Sequence, residues 1–133
     1  GKFLPICFSL IKNHRTDPQF AAQTNSKLIF GLNNLQGRIH VGHEKWSGGW
    51  NTTELVNFLN NLSVDVPNGT GGYNKPVNNY YGFTVGNEIY GKGGHAAHLT
   101  VYEAAEDFTK LKIVLDEHGM SHLKIMGLDM SIK

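Results

Sequence analysis

The sequence predicts an α/β fold in which parallel strands alternate with helices. Three observations carry this. Apolar runs bounded by turn formers recur at residues 27–32, 80–86 and 122–128, the pattern of strands buried on both faces. Two segments between them, 51–62 and 96–117, repeat apolar residues every three to four positions, as a helix packed on one side must. The order is therefore β-loop-α-β-loop-α-β, the signature of βαβ units. The longest loops follow the strands, and α/β folds build their sites at strand C-terminal ends.

Each element has its own justification. Residues 3–11 form a short apolar run interrupted by Pro5; it reads as a buried strand or packing segment more than as a targeting remnant, since no small-x-small cleavage site follows. Residues 12–26 are polar, and Phe20, Ala21 and Ala22 supply the inner face of a short helix. Lys27 to Leu32 is the first clear strand. Residues 33–50 hold both tryptophans and several glycines, which predicts a long loop. In the next helix Thr52 or Thr53 caps, while Leu55, Val56, Phe58, Leu59 and Leu62 form the inner stripe. Residues 63–79, rich in Asn, Gly and Pro, predict a second loop. Tyr80 to Gly86 is a strand. Over 96–117 the stripe is Leu99, Tyr102, Ala104, Ala105, Phe108, Leu111 and Leu115, closed by His118-Gly119. Glu103, Glu106 and Glu117 fall on its solvated face. His122 to Leu128 is the last strand.

Composition narrows the function. At 133 residues the chain is one domain or a segment of one. Twelve Lys and Arg against eleven Asp and Glu give a net charge of +1, which excludes the basic footprint of a nucleic-acid binder. With 40% apolar and 17% charged residues the chain is not a disordered tail. Cys7 is the single cysteine, so no intrachain disulfide forms. No run approaches the ~18–20 apolar residues of a membrane span, and a soluble domain is expected. Three N-x-[ST] sequons, at Asn51, Asn61 and Asn68, point to a secreted or vacuolar-lysosomal protein with glycans at these positions.

The stretch with most chemistry is Phe83-Thr84-Val85-Gly86-Asn87-Glu88. It sends a buried strand into Gly-Asn-Glu and then a glycine-rich loop. A carboxyl group at a strand end is partly desolvated, so its pKa rises and it can donate a proton near neutrality. Asn87 beside it can hydrogen-bond a sugar hydroxyl. The competing reading is a Gly-Asn turn with Glu88 as a solvated loop acid.

Together, K-L-I-F-G-L-N-N-L-Q-G-R, W-S-G-G-W-N-T-T and Y-Y-G-F-T-V-G-N-E-I-Y-G-K-G resemble the heparanase-like endo-β-glucuronidases, glycoside hydrolase family 79. The resemblance covers about residues 24–130. The Gly-Asn-Glu strand end is shared with a wider clan of barrel glycosidases, whereas Phe-Gly-Leu-Asn with Gly37-Arg38 is more specific. The resemblance implies part of a (β/α)8 barrel and retaining hydrolysis of β-glucuronide linkages in polysaccharides or glycoconjugates. It makes Glu88 the acid/base, Asn87 the neighbour that contacts the sugar 2-hydroxyl, and Asn33 a residue lining the same cleft. Gly127-Leu128-Asp129 stands where the family has Gly-Pro-Asp.

Two departures shape the expectation. A retaining enzyme needs a nucleophilic carboxylate about 5–5.5 Å from the acid, and neither Glu44 nor Asp129 matches the family's. A whole barrel needs about 250 residues, so about three of its eight strands are expected here. The chain thus reads as a piece of the catalytic barrel, inactive alone, partnered by the remaining strands or self-associating through its edges. The alternative is a non-catalytic carbohydrate-binding or self-assembling protein derived from such a barrel. No cofactor is expected. His40-x-x-His43, His95-x-x-His98 and His118-x-x-x-His122 have ligand-like spacing, but without nearby cysteines or matching carboxylates no metal site is read from them. Trp46 and Trp50 suit sugar stacking or core packing equally.

Overall fold

A computed structural model describes residues 21–86 and 97–127. The expected run at 3–11 therefore lies outside the described residues, as do Asn87, Glu88, His95 and Asp129. Residues 21–23 are helical, and Ala21 is fully buried.

Three parallel strands make the main sheet: β1 (Leu28–Leu32), β6 (Tyr80–Val85) and β7 (Lys124–Met126), in the order β1-β6-β7. Helix α1 (Thr53–Leu62) lies between β1 and β6 in the chain, and α2 (Val101–Glu117) between β6 and β7. Both crossovers are thus helical, as parallel neighbours require. The strand register puts Phe30, Phe83 and Ile125 in one row. That row belongs to a single apolar core with Leu55, Leu59 and Leu62 of α1 and Leu111, Val114 and Leu115 of α2. Phe30 stacks on Phe58 at 4.9 Å between ring centroids, and Phe83 meets Phe58 edge-on at 6.4 Å. Each fully buried side chain of this size stabilises the fold by about 1.5–3 kcal/mol.

Both helices cover the same face. The alternate rows, Ile29-Gly82-Lys124 and Gly31-Thr84-Met126, belong to the other face, where Ile29 is 43% exposed. A doubly wound sheet carries helices on both faces, whereas a β/α barrel carries them only outside. Three strands do not close a barrel. Among the described residues they form a parallel sheet with α1 and α2 on one face and the order β1-β6-β7.

Three expectations need correction. The loop expected at 33–50 contains an antiparallel hairpin, β2 (Ile39–Gly42) with β3 (Lys45–Ser47). Its two-residue turn is His43-Glu44, both left-handed (φ 47° and 64°). Such turns favour Asn-Gly, so the sequence gives no warning of this one. The loop expected at 63–79 holds a smaller hairpin, β4 (Val66–Pro67) with β5 (Tyr73–Asn74), then a 3₁₀ turn at Pro76–Asn79. Among its described residues, the helix expected over 96–117 begins only at Val101, after the N-cap Thr100. Leu99 therefore packs with Ala97, Leu35 and Trp46 in a second small cluster, and Tyr102 is 85% exposed rather than on the inner stripe. The helix does end at His118-Gly119, where the Met120 N–H reaches back to the Leu115 carbonyl (2.8 Å).

Gly82 has a specific cause. A Cβ there would stand 2.0 Å from the Lys124 carbonyl oxygen, so β7 can lie this close to β6 only beside a residue without a side chain.

Candidate active site

The C-terminal ends of β1 and β6 meet at one rim, where the Gly86 N–H donates to the Leu32 carbonyl (2.9 Å). Asn33 follows directly on one side and Gly86 ends the described residues on the other. The structure thus places Asn33 beside Gly86 at this rim, while Asn87 and Glu88 lie outside the described residues. Asn33 is exposed, and its side-chain oxygen accepts the Leu35 N–H (2.9 Å). This local turn starts the β1 loop.

Asn33 lines a groove of about 220 Å³ between β1 and α1. Phe30, Leu32, Leu55, Phe58 and Trp50 supply apolar lining, and Gln36, Glu54, Asn57 and Asn61 add polar groups. Trp50 is 4% exposed and belongs to the main core, so core packing accounts for it. Trp46 is half-buried and tilted against His40, with 5.3 Å between centroids.

The densest polar arrangement was not among the expected site residues. Arg38, Asn34 and Asp107 are all buried behind the rim. Arg38 Nη2 donates to both Asp107 oxygens (2.6 and 2.7 Å), and Asn34 Nδ2 donates to Oδ2 (2.8 Å). Arg38 Nε donates to the Asn34 carbonyl (2.8 Å), and Nη1 to the Gly48 carbonyl. One guanidinium therefore ties the start of the β1 loop, its end and the second turn of α2. Burial pushes the Asp107 carboxyl above its ordinary value, against the pull of Asn34 and Arg38.

Glu103, expected on the solvated face, instead closes a capping box with Thr100. Its Oε2 accepts the Thr100 N–H and hydroxyl (both 2.8 Å), and its Oε1 stands 3.7 Å from Arg38 Nη1. The Thr100 bonds, backbone first, hold its carboxyl below the usual range against the opposing effect of burial, with a lesser contribution from Arg38.

A second link joins the loops farther out. The Trp46 N–H donates to the His98 carbonyl (3.1 Å), and the His98 N–H to the Glu44 carbonyl (2.6 Å). The β2–β3 hairpin thus carries the strand-like segment that precedes α2. Among the described residues no three His, Cys, Asp or Glu side chains converge on a metal position.

Asp107 could have been found from spacing. It lies on the α2 inner stripe between Ala104 and Leu111, where a buried carboxylate demands a partner. Gly37-Arg38 was the partner's signal. Gly37 has φ +79°, and a Cβ there would lie 2.6 Å from Asn51 Cβ, so only glycine turns the chain tightly enough to aim Arg38 inward.

The model for the glycosyl hydrolase family 79 N-terminal domain matches residues 5–125. The chain belongs to this family. Neither the curated proteins nor the solved structures compared with it gave a match. The matched residues thus take in the first two strands of the sheet, the start of the third, both helices and the Arg38 cluster. No helix among the described residues is long and apolar enough to cross a membrane.

Proposed function

We propose that the chain is the acid/base-bearing part of a retaining glycosidase that cleaves β-glucuronide linkages. The family 79 match carries this reading, and the rim shared by Asn33 and Gly86 supports it. In this reading Glu88 delivers a proton to the glycosidic oxygen, Asn87 orients the sugar 2-hydroxyl, and Asn33 lines the cleft. A carboxylate outside these 133 residues attacks the anomeric carbon, and Glu88 then takes a proton from the water that releases the sugar. Further strands of the barrel complete the sheet at its edges.

Glu88→Gln in the intact protein tests the reading. Glucuronides with poor leaving groups should lose about 10²–10⁴-fold in rate, the usual share of general acid catalysis. Aryl glucuronides should keep a faster first step, and azide should rescue the second because it needs no base. Equal slowing of both substrates with no azide effect would exclude Glu88 as acid/base. Unchanged rates would return the chain to the non-catalytic carbohydrate-binding reading.

Secretion with N-glycans is part of the same proposal. Asn51, Asn61 and Asn68 are all exposed. Asn68 heads the β4–β5 turn, where its side-chain oxygen accepts the Thr70 hydroxyl (2.8 Å) and the Thr70 and Gly72 N–H groups (both 3.0 Å). Intact mass before and after enzymatic N-deglycosylation should fall by at least one glycan; no change on protein from its native source would remove this part.

A further inference from the structure

We propose that Arg38, Asn34 and Asp107 are positioning residues, a buried clamp that fixes the distance between the two loops framing the cleft. The proposal rests on the acid/base reading for its catalytic consequence, but the clamp itself stands on the geometry. The loop after β1 and the segment entering α2 are separate stretches of chain. Among the described residues they are joined by the clamp, the capping-box glutamate beside it, the Lys110 Nζ bond to the Trp50 carbonyl, the backbone bonds and side-chain pair between hairpin and His98, and the small apolar cluster of Leu35, Trp46, Ala97 and Leu99.

Arg38 spends its donors on the Asn34 carbonyl, the Gly48 carbonyl and the Asp107 carboxylate. It therefore closes the base of the β1 loop with the same group that grips α2. A shift of α2 relative to β1 must break several charge-assisted bonds at once. The buried side-chain nitrogens and oxygens among the described residues all have partners, and a fully satisfied buried network favours a single arrangement. A buried ion pair is a poor way to add stability, because apolar residues of similar volume often serve as well. What apolar residues lack is direction. The clamp supplies direction behind a rim where an error of about 1 Å can cost 10²-fold in rate.

The double variant Arg38→Met with Asp107→Leu separates position from stability, because it fills the volume and removes both charges. Amide hydrogen exchange at Trp46 and His98 should quicken at least about tenfold, as local opening becomes easier, while Leu59 in α1 keeps its protection. On an aryl glucuronide, kcat of the intact protein should fall about 10–100-fold with KM within twofold. Arg38→Lys keeps the charge but loses the fork, so it should show the same two changes in smaller measure if the double variant misfolds. A folded variant whose Trp46 and His98 amides exchange within twofold of the parent overturns the clamp. Glu88→Gln run in parallel isolates the acid/base reading. If it leaves hydrolysis untouched that reading fails, and the exchange result still decides the clamp. If it abolishes hydrolysis while the double variant keeps kcat, the clamp alone fails.

Discussion

The face of the sheet that α1 and α2 cover and the rim behind which Arg38 lies are built on opposite logic. Under the helices, Phe30, Phe58, Phe83, Leu59 and Leu111 share one non-directional core, in which no single contact decides the packing. At the rim, one guanidinium holds three backbone segments through bonds of fixed direction. The core supplies stability by area, and the rim supplies relative position by geometry. Chemistry at the strand ends, as proposed above, would need both, but the two should fail differently when damaged.

Double-mutant cycles break or sharpen that contrast most strongly. Phe83→Ala should cost about 3–5 kcal/mol by leaving a cavity, and adding Phe58→Ala should cost more still. Asp107→Ala should also cost about 3–5 kcal/mol, because it strands the Arg38 guanidinium in a buried site. Here the second change should help: Arg38→Met added to Asp107→Ala should recover a substantial part of the loss. Urea denaturation of these four variants, the Phe58→Ala and Arg38→Met single variants and the parent reads this directly. If Arg38→Met deepens the Asp107→Ala defect, the rim is an ordinary piece of core and the contrast is empty.

The two regions also differed in how well they could be read. The parallel strands and the inner faces of the helices follow apolar periodicity, so Leu55, Leu59, Leu111 and Leu115 are core as expected. Periodicity is silent on the rim. The β2–β3 hairpin turns on His43-Glu44, which carry no turn signature, and the sequence alone gives 33–50 as featureless loop. The Arg38–Asp107 pair joins residues 69 positions apart, and no local pattern reports such a partner. The Gly37-Arg38 motif carries the family resemblance in sequence, but its physical reason lies in the fold. Asp107 stands on the inner stripe of α2 as a polar residue, which an apolar pattern does not register. Glu103 differs from expectation for a related reason. A Thr-x-x-Glu capping box was present in the sequence, but the helix was expected to start before Thr100 and not after it.

Glu103 gives the smallest and most local test. Its folded pKa is lowered by Thr100 and, to a lesser degree, Arg38. A carboxyl lowered on folding adds stability that is complete above its unfolded value, near the ordinary 4.5. That stability drains away as pH falls through the lowered folded value. Glu103→Gln keeps a capping side chain but cannot ionise. The variant should therefore be less stable than the parent at pH 7, by about 0.3–1 kcal/mol for an anion at a helix N-terminus. The gap should narrow once pH drops below about 4.5 and vanish below the folded pKa. Asp107, whose pKa burial moves the other way, loses stability as pH rises through its own range, but it is present in both proteins and largely cancels in the difference. Paired urea titrations at pH 7, 5, 4 and 3 would measure the gap. A difference that stays constant down to pH 3 would mean that the Glu103 charge does nothing at the cap, leaving the Arg38–Asp107 pair and the Lys110 bond to the Trp50 carbonyl as the charged ties between α2 and the rim among the described residues.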